Sequence, residues 1–342
     1  MKIIIDGFLR LFFLLVLSMP PPIALAETKS LCVFDLLGAN GPIYAQMKDY
    51  KIAAMDWGVD FQLKPYLNEK AVAVDFKSGL CDAASFTGIQ SRQFNAFTGT
   101  LDAMGALPSY EHLKIAINSI SIEQAIPLMI NGSYEVVGII PMGAVYLFVN
   151  DRSLVNDYAD KQTDLSHIRI AVMDSDPAQL ELMNQLGTTS VSTSISEMYK
   201  KFNTGLVDIT YGPSVVYEAM ELHKGMQDKG GVVDFPLAQL TLQIMIHKVK
   251  FPENFGQKSR QYSLSQFDKA VVFAKSYRDR IPFKWRISIS ESQQIRYHDM
   301  YRKIRLSLRN KGVYDSKMLT LMRMVRCKKN PQLLECTAYD RE

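Results

Sequence analysis

The sequence predicts an α/β protein of two lobes, joined by strands that cross between them and finished by a helical C-terminus. Three observations predict it. The chain from Cys32 to Gly88 alternates strand, helix, strand, helix, strand, a pattern that favours a parallel sheet with helices on its faces. The stretch from His167 to Pro213 repeats that alternation. Two long β-rich runs, 134–150 and 236–248, are long enough to pass from one lobe to the other and back.

Residues 1–26 stand outside this plan. Lys2 and Arg10 flank the apolar run LFFLLVL at 11–17, and Ala24-Leu25-Ala26 has the small-x-small form of a cleavage site, so the segment reads as an export signal cut after Ala26. The apolar run is short of the roughly 20 residues that a membrane-spanning helix needs. The exported chain is expected in the periplasm, not membrane-spanning after cleavage, and monomeric. Lobe I would begin with 27–147, lobe II would take 148–238, and 239–342 would return to lobe I and add the C-terminal helices.

The chain of 342 residues carries 39 Lys and Arg against 35 Asp and Glu, an excess too small to argue for nucleic acid. Cations concentrate between Lys284 and Arg326 among apolar residues at helical spacing, which reads as the solvated face of surface helices. There are four cysteines, and an exported chain meets an oxidising compartment, where disulfides are the default. Of the three possible pairings, Cys32 with Cys81 and Cys327 with Cys336 are favoured: the first pair lies in two apolar segments read as neighbouring strands, and the second closes a short loop. No CxxC occurs, and histidines 112, 167, 223, 247 and 298 lack ligand spacing, so neither a metal nor another cofactor is expected.

The elements follow in order. CVFDLLG at 32–38 reads as a buried strand and VDFQLKPY at 59–66 as an alternating one, with a helix over 43–57 between them. Asn68 caps a helix that Gly79 ends, and CDAASF at 81–86 is the third strand. The segment 101–108 is irregular, and 111–131 reads as two consecutive helices. The run 134–150 is interrupted at Pro141-Met142-Gly143. Asp176-Pro177 opens a helix that Gly187 closes, and Ser194 with Glu197 forms a capping box for a helix that Gly205 stops. A helix is expected over 214–223 and further helices over 264–280, 291–309 and 316–326.

In a sheet of this kind ligands gather at the carboxyl ends of the strands, which selects the loops at Gly38–Asn40 and Ser85–Gly88. Arg169 is the other candidate. A guanidinium inside an apolar strand is costly unless an anion meets it. That anion is either a ligand or a structural partner such as Asp208. No P-loop, GxGxxG or GxSxG occurs, and Asp174-Ser175-Asp176 reads as helix capping, so nothing requires an enzyme.

The segments GLCDAASFTG, LSHIRIAV and ISEMYKKFNTGLVDITYGP resemble the periplasmic solute-binding proteins of TRAP transporters, the DctP-like family. Ser196, Glu197, Tyr199, Gly205, Val207, Asp208 and Pro213 fit the family pattern without gaps. Exported solute-binding proteins labelled RND-type or AdeT-like are a closer likeness, with the helical C-terminus and its own cysteine pair. The resemblance implies a two-lobe periplasmic binding protein of type II-like fold that closes about its crossing strands. It also implies integral-membrane transporter subunits as partners, and a small organic anion, a carboxylate, as ligand. It makes Arg169 the carboxylate clamp, Ser85, Phe86 and Thr87 the first-lobe wall, Asn40 the end of the first strand and Ile195 an apolar contact. Tyr211 and Gly212 would lie at the ligand, Gly212 where the family often has an asparagine, and the family's second basic residue maps onto either Asp151 or Arg152. The competing expectation is an accessory protein of an efflux or signalling system that has lost ligand capture.

Overall fold

The computed structural model describes residues 26–155, 165–173, 176–337 and 342. The expected leader, apart from Ala26, lies outside the described residues, as do Asp174 and Ser175.

Among the described residues, eleven strands form one mixed sheet: β1 (Glu27–Phe34), β2 (Val59–Tyr66), β3 (Ala83–Thr87), β4 (Ile130–Asn131), β5 (Tyr134–Val149), β6 (Arg169–Met173), β7 (Thr189–Thr193), β8 (Ile209–Pro213), β9 (Gly231–Val233), β10 (Ala238–His247) and β11 (Arg286–Ile287). The main path runs β2-β1-β3-β10-β5-β8-β6-β7. The β2-β1-β3 group is parallel, as is β8-β6-β7, and β10 and β5 join the groups through antiparallel pairings. The two long runs thus form the antiparallel centre between two parallel α/β units.

Burial on both faces explains why β1 reads as a continuous apolar run. Leu31 and Val33 pack with Tyr50, Phe61 and Leu242, while Cys32 and Phe34 point the other way, into the larger core with Phe76 and Phe86. The Cys32–Cys81 and Cys327–Cys336 disulfides are both present.

Local chemistry sets the helix ends. The Asn68 side chain accepts from the Lys70 and Ala71 amides, and Gly79 ends the helix Glu69–Ser78 at φ 83°. Asp176 caps the helix Pro177–Leu186, which Gly187 closes at φ 68°. The Ser194 side chain caps the helix Ile195–Asn203. Where an interruption was expected at Pro141, β5 continues as a strand. Leu240 pairs with Gly143 and Thr241 with Pro141, so Met142 is left out of register as a bulge, and Gly143 takes φ +125°. Pro141 thus sits beside a bulge, the setting in which proline is found within a sheet.

Three expectations change. The segment 111–131 is one helix, Tyr110–Ile120, followed by a 3-10 stretch holding Pro127; two short turns replace the helix over 214–223; and Phe255–Ser265 adds a helix. Nor are all the C-terminal cations solvated. Arg305 and Arg326 lie buried between the helices Glu291–Asn310 and Ser316–Lys329 and pair with Glu342 and Glu335. They also donate to the Met104 and Ala106 carbonyls. Buried cations persist only when paired in this way, and these tie the C-terminal helices to the first half of the chain. No helix among the described residues is long and apolar enough to cross a membrane.

Candidate functional site

The carboxyl ends of β1, β3 and β8 open on one cavity of about 340 Å³, with Phe34, Thr87 and Pro213 at its wall. The Met142 bulge, Leu240 of β10 and the helix Phe267–Arg280 complete it. This is where a sheet of this topology collects a ligand. Its walls are mostly apolar. Asp35, one of its few charged residues, is committed to capping: its carboxylate accepts from the Leu37, Ile43 and Tyr44 amides. Lys269 and Asp49, at the rim, face each other at 3.3 Å.

A second chamber of about 60 Å³ shares Thr87, Ile195, Tyr199, Pro213 and Leu240 with the first and continues it inward. Three buried carboxylates line it: Glu69, Asp102 and Asp176. Glu69 opens the helix Glu69–Ser78 and accepts from the Thr87 amide at 2.5 Å. Asp102 accepts from the Thr241 hydroxyl at 2.6 Å and from its amide. Asp176 meets the buried Arg92 guanidinium at 3.1 Å and accepts from the Gln179 amide group. Burial pushes the Glu69 carboxyl up to about 7 against its bonds with Thr87. Burial likewise pushes Asp102 up to about 7, against the Thr241 bonds and Arg92, with the Glu69 charge adding to the rise.

Tyr199 spans the two chambers, almost fully buried, and its hydroxyl has no hydrogen-bond partner among the described residues. Gly212 makes room for it: a Cβ on residue 212 would stand 2.7 Å from the Tyr199 oxygen. The neighbouring Tyr211 hydroxyl donates to Gln179 Oε1, which also accepts from the Met173 amide.

Of the expected residues, Thr87, Ile195, Tyr211 and Gly212 line the chambers. Asn40 is exposed on the turn beside them, Ser85 is buried within β3, and Phe86 packs into the core against Phe94. Arg152 lies elsewhere, donating to the Gly230 and Lys284 carbonyls.

Arg169 is the main correction. It is the first residue of β6, whereas the cavity lies at the other end, beyond Met173. Four strand steps separate the two, about 13 Å. Arg169 Nε and Nη2 donate to the two Asp208 oxygens at 3.0 and 2.7 Å, Nη2 also donates to the Gly205 carbonyl, and the side chain is 41% exposed. The anion that meets this guanidinium is Asp208.

Glu69, Asp102 and Tyr199 escaped the sequence reading as site residues. Glu69 looks like an ordinary first-turn acid, Asp102 falls in an irregular segment, and Tyr199 shares the helical spacing of the core residues Met198 and Phe202. Only the fold brings residues 69, 102 and 199 to one chamber.

Two parallel α/β units joined by crossing antiparallel strands, with a cavity at the strand ends, give this chain a fold similar to that of the two-lobe TRAP periplasmic solute-binding proteins. Similar solved structures include a TRAP periplasmic solute-binding protein of Desulfovibrio salexigens with bound orotic acid (TM-score 0.69, 13% identity, 88% of this chain and 99% of that one). A second is that of Haemophilus influenzae RdAW with bound L-gulonate (TM-score 0.71, 12% identity, 87% and 99%). At that identity the likeness concerns the fold. The model of the family "Solute-binding protein AdeT 1/2" matches residues 51–341. The chain is 39% identical over 311 residues to "Probable solute-binding protein AdeT1" of Acinetobacter baumannii, covering 90% of this chain and all of the relative. "Probable solute-binding protein AdeT2" of the same organism is 27% identical over 70% of this chain. The chain belongs to the AdeT 1/2 solute-binding protein family.

Proposed function

We propose that this protein, exported to the periplasm by residues 1–26, encloses a small and largely apolar solute between two lobes and delivers it to integral-membrane transporter subunits. The lobes are 27–147 with the return from 239, and 148–238, and they close about β5 and β10. The observation that carries this reading is the cavity of about 340 Å³ at the carboxyl ends of parallel strands, whose lining comes from both halves of the sheet. Its size falls within the ordinary range of small-molecule sites. The expected organic anion finds little support. The guanidinium assigned to clamp it belongs to Asp208, and Lys269 at the rim already faces Asp49.

Two features raised the alternative of an accessory protein without ligand capture, and both have structural explanations. Gly212 admits Tyr199 into the site, and Arg305 and Arg326, two of the C-terminal cations, are paired within the molecule. The test is small-angle scattering and thermal unfolding of the exported protein with and without a low-molecular-weight extract of the periplasm. Compaction together with a raised Tm is expected. No change in either, across extracts from several growth conditions, would refute solute capture.

A further inference from the structure

We propose that the inner chamber receives the protonated amino group of an organic amine, whose apolar body fills the outer cavity; the proposal rests on the solute-binding reading above.

The charges of the chamber do not balance. Glu69, Asp102 and Asp176 line it, and the Arg92 guanidinium bonds only Asp176 among them, at 3.1 Å. Arg92 is itself positioned against the Tyr314 ring, 4.9 Å from its centroid. Glu69 and Asp102 form no ion pair with any described residue; their partners are Thr87 and Thr241, which are neutral. Buried carboxylates of this kind need a cation or a proton. Each is also fixed in place: Glu69 by a strand-end amide, and Asp102 by a hydroxyl and an amide from one residue of β10. Each therefore holds acceptor capacity in reserve, since a carboxylate can accept about four hydrogen bonds.

Tyr199 provides an independent observation. Tyr199 is only 2% exposed, its hydroxyl has no partner among the described residues, and it lines both chambers where they meet. The hydroxyl oxygen is not itself a buried atom left without a partner, so it opens on the chamber and can bond an occupant there. The rings of Tyr199, Tyr211 and Tyr314 all border the chamber, and aromatic faces stabilise a cation beside them. A metal ion suits the chamber poorly, because no three His, Cys, Asp or Glu side chains among the described residues converge closely enough to ligate one. A space of about 60 Å³ holds roughly the volume of two waters, enough for an ammonium group and its first methylene. The solute's remaining apolar part would lie between Met142, Leu240 and Ala274 in the outer cavity.

The test uses the exported protein at pH 8, with benzylamine, phenethylamine and hexylamine, each beside the alcohol and the carboxylate of the same skeleton. Affinity is read by calorimetry and thermal shift. At least one amine is expected to bind tenfold or more tightly than its alcohol, with its carboxylate weaker still. The Glu69→Gln/Asp102→Asn variant should lose that preference, binding the amine no more tightly than its alcohol, and a cooperative unfolding transition shows that it has folded. An alcohol or carboxylate that binds as well as its amine would overturn the proposal, as would an amine preference that survives in the variant. Native mass spectrometry of the protein isolated from cells separates the two readings. A co-purifying amine supports both. A co-purifying neutral or anionic molecule leaves solute capture standing and overturns the amine. No binding in any series and no co-purifying molecule would overturn both.

Discussion

The Tyr199 hydroxyl occupies the space that any side chain on residue 212 would need: a Cβ there would stand 2.7 Å from it and 2.8 Å from Val216 Cγ2. Glycine at 212 is therefore a packing requirement of this cavity. Gly212→Ala should destabilise the protein by about 1–3 kcal/mol, the usual cost of overpacking. Adding Tyr199→Phe removes the closer of the two clashing atoms and should recover part of the loss. Denaturant unfolding of the two single variants and the double variant measures this, and strict additivity would contradict it.

Arg169 and Asp208 form a structural pair at the edge of β6, away from the cavity. Arg169→Ala is expected to cost about 1 kcal/mol, in keeping with a half-exposed ion pair, and to leave solute affinity unchanged. Asp208→Ala should cost more, about 1–3 kcal/mol, because the same carboxylate also accepts from the Arg169 amide and from Asn150. Burial alone would raise the Asp208 pKa, but the bonds from Arg169 and Asn150 hold it below the usual carboxylate range. Its contribution is therefore present above the unfolded value, about 3.9, and is lost as pH falls further. Unfolding curves between pH 2 and pH 5, with and without Asp208→Ala, check the sign.

These two cases show what the sequence reveals and what it hides. The β-α-β-α-β opening, the caps at Asn68 and Asp176, the glycines at 79 and 187 and both cysteine pairs were legible, because each rests on chemistry within a few residues or on few combinations. Arg169 misled because apolar neighbours suggest burial but do not say which end of a strand faces the ligand. That is decided by a ladder only five residues long, beginning at Arg169 opposite Thr189. Asp102 and Thr241 lie 139 residues apart and meet only when β10 returns to the first half of the sheet. No local pattern separates a carboxylate that will line a chamber from one that will be solvated.

The two disulfides should differ in what their loss costs. Cys32–Cys81 spans 49 residues and Cys327–Cys336 spans 9. The loop-entropy relation gives about 4 kcal/mol for the first and about 3 kcal/mol for the second. The first is also buried in the core beside Phe34 and Phe76. Paired alanine substitutions at 32 and 81 should therefore lower Tm more than those at 327 and 336. The second pair should chiefly loosen the docking of the helix Ser316–Lys329, read as faster amide exchange there. An equal or larger loss of Tm from the 327/336 variant would count against this ranking.

Glu69 and Asp102 make stability depend on pH in the opposite sense to Asp208. Their carboxyls are raised to about 7 in the folded protein, against about 4.3 and 3.9 in an unfolded chain. The folded state binds protons more tightly, so the stability is fully present below about pH 4 and is lost as pH rises through about 7. The groups facing them (Arg92, Asp176 and the tyrosines 199, 211 and 314) leave this sign unchanged, since Arg92 is shared with Asp176. The ligand-free protein should lose a few kcal/mol of stability between pH 4 and pH 7.5 on this account. Glu69→Gln should flatten the slope and make the protein more stable than wild type at pH 8. The Asp208 contribution falls below pH 4, so the two windows separate in one titration. An amine solute should bind more tightly as pH rises through 7 and then level off, because only the ionised carboxylates attract it. Unfolding free energies at half-unit pH intervals, for wild type and Glu69→Gln with and without phenethylamine, test both slopes. A wild-type curve that is flat between pH 4 and pH 7.5 would remove the basis for an uncompensated charge in the chamber.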